Sequence, residues 1–334
     1  GLVRKLIIES LKCWASELGV DGFRFDLGIA LSRGENLSPL DNPPIFEDIE
    51  CEPELIDIKF ISEPWDCGGL YKLGDFPSKN TFTWNGHFRD DLRRFWKGDK
   101  DTAWNMSDKI KGTPSIYKED NIFPKSINFI TSHDGFTLKD LVTFNRKHNF
   151  ANREQNRDGD NHNNSWNHGT EGPTTNLLIN DLRKRQQKNL ILSLLISKGV
   201  PMILMGDEIG RSQGGNNNSW CQNNLLGWMN WEHGQQDLEL LEYFKYVIKI
   251  RKKLINIFNP SFFPNNQTNE NIPTYHWHGT KLDSPDWSSW SHTVAFSINK
   301  DNNPLVWIGL NAYSKSIDFP LPKCKYNWLK VIDT

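Results

Sequence analysis

The chain has 334 residues, with 39 Lys and Arg against 41 Asp and Glu, for a net charge of −2. That length suggests two domains, or one large domain with an appendage, around a sizeable core. Near-neutral charge removes the electrostatic case for nucleic acid or an anionic membrane surface, and no apolar run approaches the length of a membrane span.

The chain opens Gly1-Leu2-Val3-Arg4-Lys5, without the apolar region of a secretory signal. Val3, Ile7, Leu11, Trp14 and Leu18 recur at helical spacing, which predicts a helix over 2–18 ended by Gly19. A strand follows at Val20. Residues 32–53, with Pro39, Pro43 and Pro44, read as loop, and 55–62 as the next strand. Residues 88–96 fit a helix with Leu92, Phe95 and Trp96 inward and Arg89, Arg93 and Arg94 outward. Residues 98–123 are polar and irregular, and a strand starts at Ile127. The Asn-, Asp-, His- and Gly-rich run 145–173 has the composition of a loop. A long helix is expected over 177–198, a buried strand over 200–205 and an amphipathic helix over 237–254. Beyond Ile257, short runs at Tyr275-His276-Trp277, 293–296, 306–308 and 328–331 read as strands of a small antiparallel sheet. The five cysteines, Cys13, Cys51, Cys67, Cys221 and Cys324, are an odd number without metal-like spacing and read as free thiols in a reducing compartment. Most of the fourteen tryptophans fit a core, and a minority could offer flat faces to sugars.

Three apolar strands end in an acid. Val20-Asp21-Gly22-Phe23-Arg24-Phe25-Asp26 puts Arg24 and Asp26 on one face and Phe23 and Phe25 on the other. Residues 60–66, Phe60-Ile61-Ser62-Glu63-Pro64-Trp65-Asp66, run into Glu63. Residues 127–134, ending Thr131-Ser132-His133-Asp134, run into Asp134. In a parallel β/α barrel every strand delivers its C-terminal end to one face, and converging carboxylates are what glycoside hydrolysis uses.

These stretches resemble motifs of the α-amylase clan of glycoside hydrolases, and their context resembles its isoamylase-type debranching enzymes. Supporting segments are Ser62 to Tyr71, Trp84-Asn85-Gly86 with Phe88-Arg89-Asp90, Thr131 to Leu138, Lys147-His148-Asn149 through Asn167, and Gly206-Asp207-Glu208 with Gly214 to Asn218. The resemblance implies an α/β fold: the C-terminal portion of a TIM (β/α)8 barrel over 1–257, then a β-sandwich-like domain over 258–334. It implies a retaining hydrolysis of α-1,6 branch linkages in glycogen- or amylopectin-like glucan. Asp26 would be the nucleophile, Glu63 the general acid/base with a carboxyl raised by its surroundings, and Asp134 the transition-state stabiliser. Arg24, His133 and Trp65 would contact substrate or orient the acids. The run 145–173 would be an ordered loop beside the substrate. The implied partner is a branched α-glucan, with neither nucleic acid nor membrane, and association with itself or with other isoamylase-like subunits is left open. The implied compartment is the cytoplasm or plastid stroma.

The clan also carries an Asp and an Asn-His pair on an earlier strand, and nothing upstream of Asp26 supplies them. The chain therefore reads as a piece that starts partway through a barrel, whose activity alone is in doubt. Asn223 and Leu225 stand where the family usually shows acids. No cofactor is required by the implied chemistry. Asn- and Asp-rich loops bind Ca²⁺ in some clan members, and the run from Asp158 to Asn164 leaves that open; the His276 and His278 pair lacks a third metal ligand. Two other readings stand beside hydrolysis: a non-catalytic glucan-binding isoamylase-like subunit, and a clan glycosidase or transferase with another linkage preference.

Overall fold

The computed structural model describes residues 1–117, 125–232, 234–258 and 273–334. In chain order its elements are α1 (Leu2–Lys12), β1 (Gly22–Phe25), α2 (Pro44–Cys51), β2 (Lys59–Ser62), β3 (Thr81–Trp84), α3 (Gly86–Lys97), α4 (Ala103–Ile110), α5 (Pro114–Tyr117), β4 (Ser126–Phe129), α6 (Leu138–Leu141), α7 (Leu177–Ile196), β5 (Val200–Met202), α8 (Gln235–Phe258), β6 (Thr274–His278), β7 (Thr293–Lys300) and β8 (Asn303–Asn311). They group into two compact units. The first is Gly1–Asn85 with Thr113–Ile127, the second Gly86–Gly112 with Asn128–Thr334. The domain boundary expected at 257/258 adjoins residues 259–272, which lie outside the described residues.

In the first unit α1 stops earlier than its apolar spacing suggested. Cys13–Glu17 form a π-turn, with the Leu18 N–H donating to the Cys13 carbonyl at 3.3 Å. A π-turn inserts an extra residue and so rotates the side chains beyond it about the helix axis. Ile8 and Leu11 therefore face the core, while Trp14 and Leu18 are exposed, as is Val3. Gly19, at φ +71°, then breaks the helix. Residues 44–51 are helix, not loop. Pro44 occupies the first turn, where its missing N–H costs nothing, and Ile45, Phe46 and Ile49 turn inward onto Ile8, Leu11, Leu55 and Phe60.

Parallel pairing organises the unit. Gly22 to Phe25 of β1 lie opposite Lys59 to Ser62 of β2, and Ser62 lies opposite Thr83 of β3. Trp84 in turn lies opposite Ile127 of β4. The short strand Thr-Phe-Thr-Trp corresponds to no element expected from the pattern. Gly22 is required by this pairing: a Cβ there would sit 2.7 Å from the Lys59 carbonyl oxygen.

In the second unit α3, α4, α7 and α8 enclose a core that includes Phe88, Leu92, Phe95, Met106, Leu190, Leu194, Phe244 and Val247. β5 follows β4 in the strand order. Asn176 caps α7, its side-chain oxygen accepting the N–H groups of Leu178 and Ile179. Arg93, expected in solvent, is buried. Its Nε and Nη2 donate to the Ile130 carbonyl at 2.9 and 2.5 Å, and its Nη1 donates to the Asn163 carbonyl at 3.0 Å. Burial lowers its pKa to about 9. The C-terminal sheet pairs β6, β7 and β8 antiparallel. Residues 328–331, expected as a strand, are irregular, with the Trp328 indole N–H tied back to the Pro322 carbonyl at 2.9 Å. The five cysteines are free.

Candidate active site

The β1–β2 register determines the first cluster. Phe25 lies opposite Ser62, and the Glu63 N–H donates to the Phe25 carbonyl at 3.2 Å, so Asp26 and Glu63 leave adjacent parallel strands at the same level. A carboxylate oxygen of each lies within 4.8 Å of one of the other. Arg24 engages both acids: Nη1 donates to Asp26 Oδ1 at 2.8 Å, and Nη2 bonds Glu63 Oε1. The guanidinium carbon lies 4.4 Å from the centre of the Trp84 ring, a cation–π contact at the end of the third strand. Burial separates the two acids. Glu63 is 3% exposed, whereas the Asp26 side chain is 70% exposed.

Leu27 adopts the left-handed conformation, at φ +44°. For a leucine this costs on the order of 1–2 kcal/mol. The turn aims its N–H at Glu63 Oε2, 2.8 Å away. Gly28 then passes Ser62 so closely that a Cβ would fall 2.1 Å from its hydroxyl oxygen.

Trp65 is half-buried, with its ring centre 6.5 Å from that of Trp84 and 5.9 Å from that of Tyr71. Beside it Asp66 takes a two-pronged bond from Arg33, at 2.6 and 3.0 Å. The Arg33 guanidinium, against the opposing effect of burial, holds the Asp66 carboxyl down at about 2.

His133 and Asp134 belong to the second unit. Both side chains are exposed, and His133 Nε2 lies 3.5 Å from Asp134 Oδ2. The turn that carries them is held by Asp207, whose carboxylate accepts the Thr131 hydroxyl on one oxygen and the Leu138 N–H at 2.9 Å on the other. Burial pushes the Asp207 carboxyl up to about 7, opposed by those two bonds. Between these anchors, the Gly135 N–H donates to the Asn217 carbonyl at 2.9 Å.

A family description, isoamylase 1–3 C-terminal, matches residues 276–334. Isoamylase 1, chloroplastic, of Oryza sativa subsp. japonica is 39% identical over all of this chain and 43% of its own length. The glycogen operon protein GlgX homolog of Haemophilus influenzae is 38% identical over 97% of this chain and 49% of its own length. Along its whole length the chain is similar to isoamylase-type proteins. It spans less than half the length of those two relatives. The solved type I pullulanase of Bacillus subtilis, in complex with maltose, has a TM-score of 0.64 at 18% identity, covering 96% of this chain and 41% of its own. At that identity the likeness is one of fold, and it agrees with a parallel sheet and a separate antiparallel sheet, as expected of the C-terminal portion of a β/α barrel followed by β structure.

The chain orders its Asn-rich run 145–173 around one cation. Lys147, 8% exposed, donates from Nζ to the carbonyls of Arg157, Asp158 and Gly159 at 3.3, 2.7 and 3.1 Å. Asn149 and Asn217 bond reciprocally, Nδ2 to Oδ1 at 2.8 Å and N–H to Oδ1 at 3.0 Å. Asn217 also donates to the side-chain oxygen of Asn163. Gly159, at φ +73°, passes so near that a Cβ would meet Asn217 Oδ1 at 2.2 Å. Glu171 anchors the other end. Burial opposes its ionisation, but bonds from the Asn145 and Arg146 N–H groups, His148 and Asn167 hold its carboxyl at about 2. Asn223, standing where the family is expected to carry an acid, accepts the Trp228 indole N–H at 3.0 Å and so still ties its loop. His278 is buried, with one ring nitrogen 3.0 Å from the Ser297 hydroxyl and the other accepting the Asp283 N–H.

Sequence reasoning names the acids and Arg24 beside them, and passes over other side chains around them. Trp84, Asp207 and Asn217 each lie inside one of the family motifs, and Trp84 closes a β-branched and aromatic run that is a strand signal in itself. Lys147 opens another of those motifs, whereas Arg93 leaves no such signal, because a cation that binds backbone carbonyls needs no acidic partner in the sequence.

Proposed function

We propose that this chain carries the two-acid chemistry of a retaining α-glucan hydrolase acting on α-1,6 branch linkages. The observation that carries the reading is the pair Asp26 and Glu63 on adjacent parallel strands, with oxygens within 4.8 Å and one guanidinium between them. Retaining glycosidases place their carboxyl groups about 5–5.5 Å apart, whereas inverting ones leave about 6.5–9.5 Å for a water. In this mechanism Asp26, exposed and oriented by Arg24, attacks the anomeric carbon. Glu63, buried beside it, gives its proton to the departing glycosidic oxygen and then takes one from the water that releases the sugar. Asp134 and His133 bind sugar hydroxyls and stabilise the oxocarbenium-like transition state. Trp65 contacts sugar. The proton and the nucleophile both come from side chains, so the mechanism requires no metal. The relatives named for isoamylase and the glycogen operon favour a branched α-glucan substrate.

The test is covalent trapping. A slowly hydrolysed fluorinated α-glucosyl fluoride labels the peptide containing Asp26, and Glu63→Gln lowers debranching of a branched α-glucan by about 10³-fold or more while leaving the folded spectrum unchanged. A product of inverted anomeric configuration, or full rate in Glu63→Gln, refutes the mechanism. Glucan binding that persists with no turnover in the unmutated protein favours the non-catalytic binding subunit.

A further inference from the structure

Three adjacent parallel strands of the first unit bring three residues to one level. Phe25 of β1 lies opposite Ser62 of β2, which lies opposite Thr83 of β3. The residues that follow this row are Asp26, Glu63 and Trp84. Two of the three positions hold acids. The third holds an indole that is 7% exposed.

Arg24 meets all three. A guanidinium donates in its own plane, and its faces attract aromatic rings. Nη1 and Nη2 of Arg24 are committed to Asp26 and Glu63. The guanidinium carbon meanwhile stands over the Trp84 ring, 4.4 Å from its centre. That ring is itself braced from the side: Trp65 packs against it at 61°, with centres 6.5 Å apart, and Trp65 in turn meets Tyr71. The Arg24 side chain is 29% exposed, so water competes for its donors and other rotamers are open to it. An aliphatic residue at the third position would leave the guanidinium face unattracted. A third carboxylate would attract it but would repel both acids and compete for the same donors. An aromatic ring attracts the cation and adds no charge.

We propose that Trp84 is a positioning residue, whose indole face holds the Arg24 guanidinium where a single fork reaches both Asp26 and Glu63. It acts through Arg24. Its effect on turnover rests on the hydrolase reading, whereas its hold on Arg24 is read without turnover.

NMR of the whole chain tests the hold directly. The Arg24 side-chain signals, assigned by their loss in Arg24→Lys, are expected to be displaced upfield by the indole ring current, with rotation about the Nε–Cζ bond slow enough to resolve the Nη protons. Trp84→Leu keeps an apolar side chain without a ring; it is expected to return the signals to the ordinary arginine position and to average the Nη protons. Trp84→Phe keeps a ring with a weaker pull on cations and is expected to preserve part of both effects. In debranching of a branched α-glucan, Trp84→Leu is expected to lower kcat about tenfold with KM within about twofold, and Trp84→Phe to keep kcat within about threefold of the unmutated chain. Both variants remove buried indole, so a packing role alone lowers the unfolding midpoint in each and gives no such split in kcat. Where the chain shows no turnover, the NMR comparison decides alone. Arg24 signals at the ordinary position in the unmutated protein, signals that Trp84→Leu leaves unmoved, or equal kcat in the Leu and Phe variants overturns the positioning role and leaves the hydrolase reading standing. Full debranching by Glu63→Gln overturns the hydrolase reading alone, and the displaced Arg24 signals still support the hold.

Discussion

Lys147→Met tests whether one cation holds the Asn-rich loop together. The ammonium serves three consecutive carbonyls, two at close range (2.7 and 3.1 Å) and one at 3.3 Å. A hydrogen bond from a charged donor contributes about 1.5–3 kcal/mol, and a buried acceptor left alone costs about 1–3 kcal/mol. Two good bonds and one weak one thus set a gross loss of about 4–6 kcal/mol. Methionine removes the cost of burying a charge and keeps most of the apolar stem, which offsets part of the loss. The expected net destabilisation is about 2–4 kcal/mol, concentrated in the loop. Urea unfolding supplies the size, and hydrogen exchange supplies the place: the amides of Asn217 and Gly135, which bond Asn149 Oδ1 and the Asn217 carbonyl, should lose protection. A change below about 0.5 kcal/mol, with those amides as protected as before, refutes the claim that the loop is built on Lys147.

Two further predictions concern pH. The folded pKa of Asp207, about 7, stands above its ordinary 3.8, so its contribution to stability is fully present below about 3.8 and is lost as pH rises through about 7. Asp207→Asn should flatten that part of the profile of urea midpoint against pH; parallel profiles between pH 4 and 7 would contradict it. Asp66 behaves in the opposite sense. Its folded pKa of about 2 gives a contribution present above about 3.8 and lost as pH falls through about 2. Arg33→Ala should return the Asp66 carboxyl toward 3.8 in a carbon-detected NMR titration, and a value that stays near 2 would show that the backbone N–H groups of Gly68 and Leu70 suffice.

Local pattern carries the long elements well. The helix expected over 177–198 is α7 at Leu177–Ile196, and the one over 237–254 lies inside α8. In α8 Leu240, Phe244 and Val247 recur on one buried face, and in α7 the buried apolar residues gather in the second half, from Leu190 to Ile196. The misses have specific causes. The prolines before α2 look like loop punctuation, yet Pro44 opens a helix, and Ala103–Ile110 is hidden by the polar residues around it. Arg93 falls on the solvent side of a periodic pattern because periodicity scores charge as exposed; its guanidinium is instead buried on backbone carbonyls, which no side-chain pattern encodes. The run at 328–331 pairs with no strand among the described residues. At the candidate site the pairing of Arg24 with Asp26 follows from alternation along one strand. The engagement of Glu63 by the same arginine depends on how two strands align, and becomes visible only with the register.

On the proposed mechanism, that register also bears on the stereochemical outcome. Neighbouring strands lie about 4.7–4.9 Å apart, close to the spacing a double displacement needs. Asp26 and Glu63 inherit it from the backbone ladder, because each is the residue that follows a matched pair. Moving one acid to the next strand but one would roughly double the gap, into the range where a water fits between and configuration inverts. Sliding a strand by one residue would instead turn its acid to the opposite face of the sheet. On the proposed mechanism, substitutions elsewhere on these two strands can therefore tune rate or affinity while the backbone ladder keeps the spacing from which the two acids start.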